Sequence, residues 1–346
     1  MKLEEIRFDR PKDLDASRPP EDRGVARDGV RLLVTDAGQD ADAQFRDLSG
    51  ILRPGDLVVV NESATIPAAL PARASFGDFL LHLSTQYAPD FWLAEPRWSS
   101  VRPGPLPLAP GDRIEVAGIP GRIVAPYPGL PRLLFVGFEA PVAPHMPERG
   151  RPIRYGYLAH DYPLEVFQTV FAQVPGSAEM PSAGRPFTHE LVERLGRSGV
   201  GFARIVLHAG VSSIEVATPE VESHPLSPEP FQVPAETVGA IEAARCAGGR
   251  VIAVGTTVAR ALESSWEGGR LVPSAGFTRL FLHPGRLPRA FDALLTGFHD
   301  PETTHLALLY SVAGPRAVQR AYSRAVRGGY LWHEFGDSHL IFRTTN

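Results

Sequence analysis

Apolar positions change rhythm twice along the chain. Residues 6–29 are polar and rich in proline, aspartate and arginine without any period, which reads as an extended arm. The pattern then predicts a strand at 31–36 and a short helix at 45–52, closed by Arg53-Pro-Gly-Asp56. At 57–60 the run Leu-Val-Val-Val leaves no polar face, so it predicts a buried strand. Between residues 65 and 152 lie 16 of the 34 prolines, a density that rules out long helices. Short strands are predicted there at 79–84, 91–94, 113–116, 121–124 and 133–138, separated by turns such as Pro110-Gly-Asp112 and Pro128-Gly129. After 164 helical spacing returns. Helices are predicted at 164–173, after a cap at Thr188, at 235–247 before Gly248-Gly249, at 303–312 and at 317–327. Strands are predicted at 202–208, 211–216, 279–282 and 290–295, and 330–342 closes the chain.

Mixed strands and helices that resume after an all-β interlude imply a discontinuous α/β main domain, 1–64 with 153–346. A β-rich domain at 65–152, a small barrel or sandwich, interrupts it.

The densest local signal lies at 250–264. Val251-Ile-Ala-Val254 reads as a buried strand, Gly255 permits a sharp turn, and Thr256 or Thr257 can cap a helix beginning at Val258. A strand that stops at a helix N-terminus gathers N–H donors and partial positive charge, suited to the carboxylate, hydroxyl or phosphate of a ligand. An ordinary strand–helix turn has the same sequence pattern. The loop 175–186 is similar in kind: Gly176, Ser177, Ser182, Ala183 and Gly184 allow close backbone approach, and Arg185 offers a charge.

Composition narrows the classes. A net charge of −4 supplies no global basic field, so a nucleic-acid partner needs a local patch. Cys246 is the single cysteine, which excludes an intramolecular disulfide and favours a reducing, cytoplasmic setting. The start of the chain is charged, unlike a signal peptide, and the apolar run 306–313 is too short to span a bilayer. No histidine pair at metal-ligand spacing occurs, so no metal is expected. Nucleophile-elbow, dinucleotide-binding and phosphate-loop motifs are missing. Histidines stand beside turns at His208, His224, His283 and His299, where a strand end can present a proton shuttle.

The ordered series Leu57-Val-Val-Val-Asn-Glu-Ser, Phe167-Gln-Thr-Val-Phe-Ala, Pro175-Gly-Ser, Pro181-Ser-Ala-Gly, Phe187-Thr, Leu207-His-Ala-Gly, Val251-Ile-Ala-Val-Gly-Thr-Thr, Asp292-Ala-Leu-Leu-Thr-Gly-Phe-His and Phe335-Gly-Asp runs nearly end to end. It resembles the S-adenosylmethionine:tRNA ribosyltransferase-isomerase family of the queuosine pathway. The resemblance implies a mixed α/β main domain with a β-barrel core, interrupted by a small all-β domain. It also implies an enzyme that takes S-adenosylmethionine as substrate, without a metal. That enzyme transfers and isomerises the ribosyl moiety onto the aminomethyl group of a 7-deazaguanine base in tRNA, releasing adenine and methionine. Within the matching motifs, His208 and His299 are the acid/base candidates, with His224 beside them. Pro181, Ser182, Ala183, Gly184, Arg185 and Phe187 are assigned to the S-adenosylmethionine pocket, together with Gly255, Thr256, Thr257 and Phe298, and Arg260 as a carboxylate partner.

The chain departs from the family pattern at named positions. Pro186 stands where a histidine is usual, Pro225 and Ser227 replace an arginine and a histidine beside His224, and Ala64 and Ala69 replace two arginines. Proline transfers no proton and alanine holds no phosphate. A second expectation is therefore a diverged relative that uses S-adenosylmethionine on a small-molecule acceptor, or cleaves it, without tRNA. A monomer is the default.

Overall fold

The computed structural model describes residues 1–211, 216 and 218–344. Its backbone is a nine-stranded mixed sheet. In spatial order the strands are Ser274–Thr278, Glu229–Val233, Gly201–Leu207, Leu57–Asn61, Val251–Val254, Ala293–Gly297, Ser338–Phe342, Arg31–Asp36 and Gln39–Gln44. The four strands from Gly201–Leu207 to Ala293–Gly297 run parallel to one another. Their carboxyl ends therefore meet at one edge of the sheet, where ligands of open α/β sheets bind.

The continuous apolar runs have a direct cause. Leu57 and Val59 point into one core with Val251 and Ala253, whereas Val58 and Val60 point into another with Ile252 and Val254. Helices Ala235–Cys246, Thr256–Ser264, Thr304–Ala313 and Pro315–Arg327 cover the first face, and His189–Arg197 covers the second. A strand buried on both sides cannot alternate with polar residues. Thr188 accepts the Leu191 N–H at 3.1 Å and starts the helix His189–Arg197, as predicted.

Six strands between residues 69 and 138 close into a barrel: Ala69–Ala74, Gly77–Ala88, Phe91–Arg97, Leu130–Phe138, Ile119–Tyr127 and Arg113–Val116. In chain order they fall between two neighbours of the main sheet, Leu57–Asn61 and Gly201–Leu207. The expected barrel and the expected mixed sheet are both present, and closure belongs to this proline-rich stretch. Leu70, Leu81, Leu83, Ile123 and Val136 fill its interior. Among the described residues no helix is long and apolar enough to cross a membrane.

Several local expectations change. The helix at 164–173 is only a 3-10 turn, Leu164–Phe167. Gln168 leaves it in extended conformation, and its side chain exchanges hydrogen bonds with the Thr65 N–H (3.0 Å) and carbonyl (2.9 Å). The strand at 279–282 moves to Ser274–Thr278, which pairs with Glu229–Val233, and the Thr278 hydroxyl accepts the Leu280 N–H to turn the chain. Among the strands that escaped the pattern are Ala69–Ala74, which contains Pro71, and the polar edge strand Gln39–Gln44. The latter forms a hairpin through Ala37 and Gly38, both at positive φ. The strand expected at 211–216 lies largely outside the described residues. The helix expected from Val258 begins two residues earlier at Thr256, with Gly255 (φ 91°) as its N-cap and no side-chain cap.

Candidate functional site

At the carboxyl edge of the parallel strands, Asn61 ties two of them together. Its side chain donates to the Leu207 carbonyl at 2.8 Å and accepts the Leu207 N–H at 3.0 Å and the Ser63 N–H at 3.1 Å. Ser63 then meets the Ser177 hydroxyl at 2.6 Å and His208 Nδ1 at 2.7 Å. Burial lowers the His208 pKa below its ordinary value.

Beside this knot opens a cleft of about 590 Å³. Pro181, Ser182 and Ala183 line it, and so do Gly255, Thr256 and Thr257 with Phe298 and His299. Two short-range facts put the first two groups in contact. Ser182–Gly184 is a 3-10 turn, and a Cβ on Gly255 would stand 3.3 Å from the Ala183 Cβ. Because no side chain caps the helix Thr256–Ser264, the donors of its first turn remain available at the cleft.

His299 is held by Thr296, whose hydroxyl lies 2.9 Å from its Nε2, and its backbone N–H donates to the Tyr322 hydroxyl at 3.1 Å. Its ring stacks on His305 with centroids 4.8 Å apart and planes 11° from parallel. Burial, with repulsion from His305, His339 and His333, drives His299 well below its usual pKa. His305 falls to about 4 through burial and the nearby Arg260. Both imidazoles are therefore neutral near pH 7 and able to accept a proton or donate a neutral hydrogen bond.

The other assigned residues lie elsewhere. Phe187 is fully buried in the second core, edge-on to Phe45 at 4.9 Å and Phe171 at 5.2 Å. Gly184 packs beside Thr169 and Phe171. Arg185 is buried, its Nε donates to the Val166 carbonyl at 3.0 Å, and it pairs with Glu21 while covering the Phe335 ring. Burial pushes its pKa down to about 10. Arg260 is ion-paired to Glu229, which is 1 % exposed, so it offers no unengaged guanidinium to a ligand carboxylate. With His224 it lines a separate cavity of about 30 Å³ that also holds Pro225, Ser227 and His305. Burial and Arg132 lower the His224 pKa. None of the five departing positions (Ala64, Ala69, Pro186, Pro225 and Ser227) lines the large cleft.

Sequence reasoning missed much of the cleft. Tyr155, Tyr157, Glu179, His305, His333 and Glu334 all line it, together with Asp15 and Asp300, which share Arg10. Tyr155-Gly-Tyr157 lies in a stretch without periodic pattern, and His333 sits in a left-handed turn (φ 70°), a conformation that itself signals a constrained position. Among the described residues no group of three His, Cys, Asp or Glu side chains is gathered to hold a metal.

This fold and cleft define a mixed α/β protein with a closed β-barrel that falls, along the chain, between two strands that pair in its main sheet. The chain belongs to the queuosine biosynthesis protein family, whose model matches residues 3–341. It is 38 % identical over 352 residues to the S-adenosylmethionine:tRNA ribosyltransferase-isomerase of Acidithiobacillus ferrooxidans, covering 99 % of this chain and 98 % of that one. The protein of the same description from Thermus thermophilus is 38 % identical over 341 residues, covering 94 % and 98 %. The crystal structure of S-adenosylmethionine tRNA ribosyltransferase from Thermotoga maritima superposes with a TM-score of 0.55 at 28 % identity. That match covers 98 % of this chain and all of the other.

Proposed function

We propose that the chain transfers and isomerises the ribosyl moiety of S-adenosylmethionine onto a 7-deazaguanine-type amine in tRNA, releasing adenine and methionine. End-to-end similarity to relatives of that description supports the reading. The observation that carries it is the cleft at the carboxyl ends of the parallel strands, walled by the 181–183 turn and the uncapped helix start at 255–257. The departures from the family pattern spare this lining, so no observation favours a small-molecule acceptor over tRNA.

The proposed roles follow from the chemistry. The sulfonium acidifies the neighbouring C5′ protons, and a neutral imidazole beside them can remove one. Loss of adenine is eased by a hydrogen bond to its ring nitrogen. Each positioned proton transfer contributes roughly 10²- to 10⁴-fold in rate. His299, neutral and in the cleft, is the base candidate, and His208 stands by through Ser63 at the edge of the sheet. The first-turn N–H groups at 256–257 bind the methionyl carboxylate, the Gly255 N–H being held by the Leu295 carbonyl at 2.8 Å. The protein supplies orientation and excludes water, while the substrate carries the reactivity.

The test is to incubate the protein with S-adenosylmethionine and acceptor tRNA and follow adenine by chromatography. Adenine release that depends on tRNA is the expected result. Release that needs no tRNA, or no release where a family enzyme works, overturns the reading.

A further inference from the structure

The cleft holds a second group of side chains that the roles above do not use. Tyr157 stacks on His333 with centroids 4.0 Å apart and planes 7° from parallel, and Tyr155 lies 6.2 Å from Tyr157 at 24°. Arg97, from the barrel, stands 5.8 Å over the Tyr155 ring, so the array is backed from behind. Each tyrosine hydroxyl donates to a carboxylate, Tyr155 to Glu179 and Tyr157 to Glu334.

The charges in this group do not cancel. Arg10 is engaged by Asp15 and Asp300, and among the described residues Glu334 forms no ion pair with a basic side chain. Burial, followed by the charge of Glu334, raises Tyr157 well above its usual pKa, and Glu179 adds to the effect. The phenol is therefore held as a donor, and both carboxylates act on the same ring. A flat aromatic array with directed carboxylates suits a planar heterocycle bearing a cationic amine.

We propose that Glu179 and Glu334, each oriented by a tyrosine hydroxyl, form the acceptor side of the cleft and bind the protonated amine of the acceptor base. Glu334 takes the proton this amine must lose. The N–H bond breaks, its electron pair stays on nitrogen, and the proton passes to the carboxylate. The freed lone pair then forms the C–N bond to the ribosyl unit, and the electron pair of the bond that breaks there leaves with adenine. This inference rests on the functional reading above.

The test compares wild type with Glu334→Gln, Glu179→Gln and Tyr157→Phe in adenine-release kinetics at varied tRNA, with S-adenosylmethionine binding measured by calorimetry. Glu334→Gln should lower kcat/KM for the acceptor roughly 10- to 100-fold, the worth of a hydrogen bond to a charged group, and leave S-adenosylmethionine affinity unchanged. Glu334→Asp should recover part of the loss, and Tyr157→Phe should fall between wild type and Glu334→Gln. If the Gln variants weaken S-adenosylmethionine binding instead, or leave acceptor kinetics intact, the assignment is wrong. A melting curve for each variant excludes a folding defect. A wild type that releases no adenine with tRNA would defeat the functional reading itself, and wild-type activity with unaffected variants would defeat only this inference.

Discussion

Two parallel strands of one sheet, Gly201–Leu207 and Val251–Val254, stand on either side of Leu57–Asn61 and end in glycine-bearing turns. After Leu207 the chain closes on itself. The Ala209 N–H donates to Ser177 at 3.0 Å, the Gly210 N–H to Glu229 at 2.9 Å, and the Val211 N–H to Ser84 at 2.8 Å. After Val254 the chain stays open, because Gly255 brings no side chain and nothing caps the helix behind it. The first turn uses its donors to fasten the barrel and the short strand Val174–Ser177 to the sheet. The second spends the Gly255 N–H on the Leu295 carbonyl at 2.8 Å and keeps those of Thr256 and Thr257 for whatever enters the cleft. A strand end becomes a ligand site when its partners are withheld.

The contrast can be broken at the closed turn first. Glu229→Ala strands the Arg260 guanidinium and removes the acceptor of the Gly210 N–H, and should cost about 3 kcal/mol in urea unfolding. A neutral result would mean that the turn is not held as described. At the open turn, Gly255→Val imposes a side chain at φ 91° against Ala183 and Thr257. Strain there should cost about 2 kcal/mol. Calorimetry should also show a loss of S-adenosylmethionine affinity larger than that of any variant at the closed turn.

Protonation sharpens the comparison further. His305 titrates near 4 in the folded chain through burial, against its ordinary 6.5 when unfolded. The unfolded state therefore binds the proton first. Its stabilising contribution is complete above pH 6.5 and is lost as pH falls toward 4. His305→Gln should flatten the acid side of the stability curve by about 1.4 kcal/mol per pH unit in that window. An unchanged slope would show that the cleft floor is wetter than its burial implies. The smallest effect belongs to Ser177→Ala. It removes one acceptor from the closed turn and should cost about 1 kcal/mol without changing S-adenosylmethionine affinity.

The sequence pattern carried the strands well because burial on both faces leaves a plain mark. Val251–Val254 and Arg31–Asp36 were read to the residue. It failed where long-range partners decide local shape: Gln168 leaves its helical pattern to clamp Thr65, far away in the chain. The cleft was half legible for the same reason. The 181–183 turn, the 255–257 turn, Phe298 and His299 stand in glycine-rich or strand-end motifs, and the structure gathers them. Phe187 matched a motif yet serves the core, and Arg185 and Arg260 are engaged by Glu21 and Glu229, pairings that no spacing announces. Tyr155, Tyr157 and Glu334 come from segments without periodic pattern, brought together only by tertiary folding.

The most direct test is a crystal structure of the protein with S-adenosylmethionine bound. The predicted result is density in the large cleft, with the methionyl carboxylate in hydrogen-bond reach of the backbone N–H groups at 256–257 and the ribose near His299. Density in the small cavity beside His224 and Arg260, with the cleft empty, would contradict the site proposed for this chain.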